Sequence, residues 1–307
     1  MSTTLDFSVW PSAERPWSEV ADLVAWAEST HWHGFWFADH FMPNTDDERV
    51  VDGDVHEVWT VLSAVAAVSS SLRLGSLVSP TTVRHPAVLA NIAASLDRIS
   101  NGRLVLGIGA GWQINEHRAY GFDLLSPKDR VDRFDEAIRI IRSLLTERRT
   151  DFAGRHFHLT DAACQPTPVQ SRLPLLVGTG GPRMTSITVR HADEWNVWGT
   201  PETAGEKAAI LDRACEAQGR EPRSIRRSVQ AFFFLADDRD KADRIRAKAP
   251  ADRSVIGGPD EISAAIARYR DLGFDEIIVP DFSLGAGPDQ RRASYERFVT
   301  EIIPNFR

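Results

Sequence analysis

Short apolar runs alternate with amphipathic stretches along nearly the whole chain. Leu5–Val9, Gly34–Ala38, Leu72–Val78 and Leu104–Ile108 read as buried strands, as do Pro174–Val177, Glu194–Val197, Val229–Leu235 and Glu276–Pro280. Between them apolar residues recur at helical spacing. Val20, Leu23, Val24 and Ala27 share one side of Trp17–Ser29, and Val88, Leu89, Ile92, Leu96 and Ile99 recur at helical spacing in a helix opened by Pro86. Val58–Ser69, Arg130–Leu145, a segment from Pro182, Ala204–Gln218, Asp260–Leu272 and a segment from about Gln290 follow the same rule. Asn101-Gly102 and Gly219 supply helix stops. The pattern predicts eight strands, each followed by at least one helix. That count fits an α/β fold of the (β/α)8 TIM-like barrel type with insertions, rather than a doubly wound open sheet.

No low-complexity linker and no short repeat divides the chain, so residues 1–307 are expected to form one domain. Thr150–Leu173, which contains DFAGRHFHL, breaks the alternation. It reads as an insertion near 150–173, built as a small hairpin. Met42–Glu57, rich in Asp and Asn, follows the second strand and suits either a substrate loop or a solvated acidic loop. Parallel strands joined by helices place their C-terminal ends on one edge, where such folds keep their chemistry. The loops Ser76–Thr82 and Gly109–Asn115 lie at that edge.

Composition narrows the function. A formal net charge of −7 and a pI near 5.7 oppose a nucleic-acid or anionic-membrane partner. No apolar run approaches bilayer length, and MSTTLDFSVW lacks a basic, hydrophobic signal region, so a cytoplasmic protein is expected. Cys164 and Cys215 show no paired spacing and require no disulfide.

Two segments carry candidate chemistry. In FWFADHF, Asp39 and His40 stand just past the second strand, where an imidazole can handle a proton and a carboxylate can orient a ligand. The alternative is an Asp capping a turn beside a packed His. In LLVGTGGPR, a strand runs into Gly178, Thr179, Gly180 and Gly181 before Pro182, a pattern that exposes helix N-terminal N–H groups to phosphate, with Arg183 adding charge. A plain strand-to-helix turn is the competing reading. Gly107-Ile108-Gly109-Ala110-Gly111 lacks the later glycine of a dinucleotide motif. His31-Trp32-His33 and His156-Phe157-His158 have metal-ligand spacing, but neither has a completing carboxylate set, so no metal is expected. Trp36, Trp112, Trp195 and Trp198 fall near strand ends and can wall an aromatic ligand or simply pack.

Taken together, FWFADHF, LGSLVSPTTVRHPAVLAN, LDRISNGRLVLGIGAGW, EHRAYGFDL and PLLVGTGGPR…HADEWNVWG resemble the luciferase-like monooxygenase superfamily, in particular its deazaflavin (coenzyme F420)-dependent oxidoreductases. The match spans most of the first two hundred residues in order; the remainder fits only in general pattern. The resemblance implies a barrel holding F420, or alternatively FMN, at its C-terminal rim. It assigns cofactor contacts to Asp39, Ser76, Leu77, Ala110, Gly111, Asn115, Gly178, Thr179, Gly180 and Gly181, and the reacting position to His40. It also implies a non-prolyl cis peptide between Ser76 and Leu77.

One departure matters. Some F420-dependent sugar-phosphate dehydrogenases carry a glutamate directly after the glycine turn, where this chain has Trp112, and a lysine after the sixth strand, where it has Trp198-Gly199-Thr200-Pro201. Sugar-phosphate oxidation is thereby disfavoured, and Trp112 and Trp198 are expected to wall a flatter or more apolar substrate pocket. Glu116, one turn further on, is a weaker candidate for the missing acid.

The expected activity is therefore F420-dependent transfer of a hydride between the deazaflavin C5 and a small organic substrate. The alternatives are an FMN-dependent monooxygenase fed by a partner reductase and a non-catalytic flavin-binding barrel. A homodimer is the expected assembly, and an F420 or flavin reductase the possible partner.

Overall fold

The computed structural model describes residues 4–45, 48–178 and 180–307. Along the chain run β1 (Asp6–Trp10), α1 (Trp17–Ser29), β2 (Gly34–Phe37), α2 (Val58–Val68), β3 (Arg73–Ser76) and β4 (Ser79–Pro80). Next come α3 (Pro86–Ile99), β5 (Leu104–Gly109), α4 (Ile114–Tyr120) and α5 (Pro127–Thr146). They are followed by the strands β6 (Thr150–Ala153), β7 (His158–Ala162) and β8 (Leu175–Gly178) and by α6 (Pro182–His191). The last third holds β9 (Glu194–Trp198), α7 (Pro201–Ala217), β10 (Arg226–Gln230), β11 (Phe232–Leu235) and α8 (Arg239–Arg246). It closes with β12 (Ser254–Gly257), α9 (Pro259–Asp271), β13 (Glu276–Pro280) and α10 (Pro288–Arg297).

Six of these helices, α3, α5, α6, α7, α9 and α10, start on a proline. Proline costs nothing at the first helical position, because that N–H has no intrahelical partner, and its fixed φ already suits the helix. Ser126 and Thr200 cap α5 and α7 by accepting from Asp129 N and Thr203 N.

The chain divides into two compact units. One comprises the N-terminal stretch to Ser12, Trp17–Trp36 and Glu194–Arg307; the other comprises Ala13–Pro16 and Phe37–Asp193. In the first, β2, β1, β13, β10 and β9 lie side by side, all parallel, with Phe7 opposite Ile277 and Val229 opposite both Ile277 and Val197. In the second, β5 pairs in parallel with β3, β4 and β8. β5 is buried along its whole length, which explains its unbroken apolar run. The expected hairpin near 150–173 is present as antiparallel β6 and β7, and Asp97 anchors its exit by accepting from Val169 N and Gln170 N.

Three expectations are corrected. The run Val229–Leu235 is two strands: Gln230 ends β10, and Phe232–Leu235 leaves to pair with β12. No glycine or proline separates Gln230 from Ala231 and Phe232, so the local pattern alone could not show the break. Leu72–Val78 is strand only over Arg73–Ser76, and the cis peptide lies at Leu77-Val78, one bond later than Ser76-Leu77. Finally, the rim loop after β5 contains a helix, α4, whose inward residues are polar.

Candidate active site

The second unit gathers most of the rim residues. At the end of β3 the chain turns through the cis peptide, and the Val78 side chain drops into a cleft that only glycines leave open. A Cβ on Gly109 would meet Val78 Cγ2 at 2.9 Å, one on Gly178 would meet it at 3.2 Å, and one on Gly107 would sit 1.9 Å from the Ser76 carbonyl oxygen. The glycines of β5 and β8 are therefore demanded by this bulge. Ser76 Oγ is spent locally, donating to Gly107 O at 2.8 Å, and the Leu77 N–H donates to Phe37 O at 2.8 Å.

Asp39 is buried and held by Arg84, whose guanidinium donates to its carboxylate at 2.5 and 3.2 Å. The same arginine donates to Glu57 at 2.6 Å, tying the loop after β2 to the start of α2. Burial pushes the Asp39 carboxyl above its ordinary range, against the pull of Arg84. Glu57 feels burial too, yet the N–H groups of Thr60 and Trp59 and the Arg84 charge hold it below the ordinary carboxylate value.

His40 is a quarter exposed. Its Nδ1 lies 3.0 Å from Oε1 of Glu116, a residue 1% exposed, while Oε2 of Glu116 accepts from Phe41 N at 2.8 Å. Trp112 stands edge-on to the imidazole with centroids 5.6 Å apart, and its own side chain is exposed. Glu116 is flanked by two further clasps on the loop after β2: Gln113 Nε2 donates to Met42 O, and Asn115 Nδ2 reaches Pro43 O, Thr45 Oγ1 and Arg49 O. Three buried polar side chains at the start of α4 thus hold the segment that presents His40. The amide nitrogen of Asn115, expected on a cofactor, is committed to that loop.

Gly111 takes a positive φ of 87°, and its carbonyl accepts from Arg130, which fixes the turn carrying Ala110, Gly111 and Trp112. At the start of α6, Gly181 is the N-cap, and among the described residues it has no side-chain cap bond and nothing lies within 4 Å of where its Cβ would be. Among the described residues no side chain caps the first-turn N–H groups there. Thr179 lies outside the described residues. Trp198 belongs to the other unit, where it packs on Trp10 and Phe232 at 5.5 and 5.0 Å.

Sequence reasoning passed over Arg84, Glu57 and Gln113. Arg84 was findable: it is a cation in the rim loop two residues before a helix-opening proline. Gln113 and Glu57 carry no local pattern that separates them from surface residues. Of the histidine pairs, His33 meets Asp6 at 3.3 Å in the turn before β2, and His156 and His158 lie on the hairpin. Among the described residues, no cluster of three or more His, Cys, Asp or Glu could hold a metal, and no helix is long and apolar enough to cross a membrane.

The family model described as luciferase-like monooxygenase matches residues 1–250. An F420-dependent glucose-6-phosphate dehydrogenase of Kineococcus radiotolerans is 28% identical, over 94% of this chain and 93% of its own length. An F420-dependent hydroxymycolic acid dehydrogenase of Mycobacterium tuberculosis is 30% identical, over 87% of this chain and 72% of its own length. Among solved structures, an F420-dependent secondary alcohol dehydrogenase in complex with an F420-acetone adduct superposes with a TM-score of 0.84 at 18% identity, covering 99% of both chains. That likeness shows the α/β, (β/α)8 TIM-like barrel fold. The family match covers most of the chain: it belongs to the luciferase-like monooxygenase family.

Proposed function

We propose that this protein is an F420-dependent oxidoreductase that moves a hydride between the deazaflavin C5 and a small, apolar alcohol or ketone. The observation that carries the reading is the setting of His40, a partly exposed imidazole fixed by a buried carboxylate on one side and an exposed indole on the other. The F420-dependence of relatives matched over most of their length supports the cofactor.

The residues present fit such a group. Gly180, Gly181 and the uncapped first turn of α6 suit its phosphate, and the buried Thr81 Oγ1, without a hydrogen-bond partner among the described residues, offers a polar contact at the rim. The Leu77-Val78 bulge, Ala110, Gly111 and the Asp39 loop would hold the ring. When bound, the deazaflavin supplies the carbon that accepts or gives the hydride.

The protein's part is orientation and the proton. As an alcohol becomes a ketone, its hydroxyl proton passes to His40; in reduction His40 returns it. Trp112 occupies the position from which an acidic side chain would meet a polar substrate. Its exposed indole favours a flat or aliphatic substrate over a sugar phosphate.

The deciding experiment is a fluorescence titration of the apo-protein with F420 and, separately, with FMN. F420 should bind in the micromolar range or tighter and FMN far more weakly. With F420 and an apolar secondary alcohol, His40→Ala should lower kcat by about 10²–10⁴-fold with F420 affinity unchanged. The reverse cofactor preference would replace this reading with an FMN-dependent monooxygenase. Tight F420 binding with no turnover of any alcohol or ketone would leave a non-catalytic binding protein.

A further inference from the structure

We infer that Glu116 is a positioning residue that sets the tautomer of His40 and so decides which nitrogen handles the proton. The inference rests on the reading of His40 as the proton-handling group, but its structural part stands without any cofactor.

The two oxygens of Glu116 have fixed partners of different kinds. Oε2 accepts from the backbone N–H of Phe41, which can only donate. Oε1 lies 3.0 Å from His40 Nδ1. A carboxylate has no hydrogen to give, so the contact is a hydrogen bond only if Nδ1 carries the proton. The neutral ring then holds its free lone pair on Nε2, which makes no hydrogen bond among the described residues. That nitrogen can take the proton that leaves a substrate hydroxyl when its C–H hydride departs, the O–H and C–H bonds breaking as C=O forms. Burial of Glu116 keeps water from competing for the carboxylate, and Asn115 Oδ1 accepts from Glu116 N at 2.8 Å, fixing its backbone. Because His40 and Phe41 are adjacent, one side chain sets both the ring's tautomer and the backbone that carries it.

The arrangement makes Glu116→Gln a sharp probe. Phe41 N–H claims the amide oxygen, so the amide NH₂ must face His40 Nδ1 and donate to it. The ring is then forced into the Nε2–H tautomer, with geometry kept and proton acceptance lost. The reading comes from long-range ¹H–¹⁵N spectra of the full-length apo-protein labelled with ¹⁵N-histidine, the His40 signals being assigned by their loss in His40→Ala. Wild type should show Nδ1–H and Glu116→Gln should show Nε2–H, while Glu116→Asp, which keeps a carboxylate, should stay Nδ1–H. With F420 and an apolar secondary alcohol, kcat should fall at least about 100-fold in Glu116→Gln, with KM within about threefold and substantial recovery in Glu116→Asp.

An Nε2–H wild type, or an unchanged tautomer in Glu116→Gln, overturns the proposal. Should Glu116→Gln not fold, the wild-type and Glu116→Asp spectra still decide, since Nε2–H in either refutes it. If no variant and no wild-type preparation turns over alcohol, the functional reading fails instead, and the spectra judge the tautomer separately.

Discussion

At Gly107 a side chain has nowhere to go. Its Cβ would lie 1.9 Å from the carbonyl oxygen of Ser76, a backbone atom of the neighbouring buried strand. Gly107→Ala should therefore destabilise the fold by about 3 kcal/mol, the upper end of overpacking costs, read as a lower urea midpoint at unchanged m-value. Gly181→Ala, with nothing within 4 Å of its Cβ among the described residues, should cost far less. The contrast separates two settings of glycine that look alike in sequence: a backbone neighbour that leaves no room at Gly107, and open space among the described residues at Gly181. Asp39 and Arg84 show the same limit for charge. The acid was visible beside His40, whereas its partner lies 45 residues on and meets it only because both loops leave the same edge.

The start of α2 turns on one carboxylate. Glu57 caps the helix by accepting from Thr60 N at 2.7 Å and also receives Arg84. Its proton affinity in the folded state lies below that of an ordinary glutamate. A depressed carboxyl stabilises the fold above the unfolded-state value and loses that contribution as pH falls through the folded one. Wild type should thus lose more stability than Glu57→Gln when pH drops from 7 to below the ordinary glutamate range, compared by urea midpoints. Equal losses would show that the cap charge adds nothing. α4 was missed because helix detection rests on an apolar face, and its inward residues, Asn115, Glu116 and His117, are polar. Their burial is compensated by hydrogen bonds to loops distant in sequence. α8 was missed for the opposite reason, since only Ala242 of that helix is buried.

For the whole molecule, a ligand bound only by the folded state adds stability by mass action. F420 at one hundred times its dissociation constant should add about 2.7 kcal/mol and raise Tm by several degrees, whereas FMN at the same concentration should move it little. Equal shifts with both would remove the preference for the deazaflavin. The alternation of apolar runs and amphipathic stretches determined the fold class, most of the parallel strands and the helices that bury an apolar face, without coordinates. Burial on both faces of a parallel sheet and on one face of each covering helix writes itself into local hydrophobic period, and proline marks six helix starts. The motifs around His40, the glycine turn and Gly178–Gly181 supplied the candidate site residues, and the role proposed for them rests on the titrations and variants above. Tertiary structure alone decided what those residues touch: Arg84 on Asp39, Val78 over three glycines, Asn115 and Glu116 turned toward the His40 loop. It also decided where the Val229–Leu235 run breaks. Hydrogen-bond partners and steric clefts come from segments tens of residues apart, and a pattern read along the chain holds no term for what the fold brings to the same place.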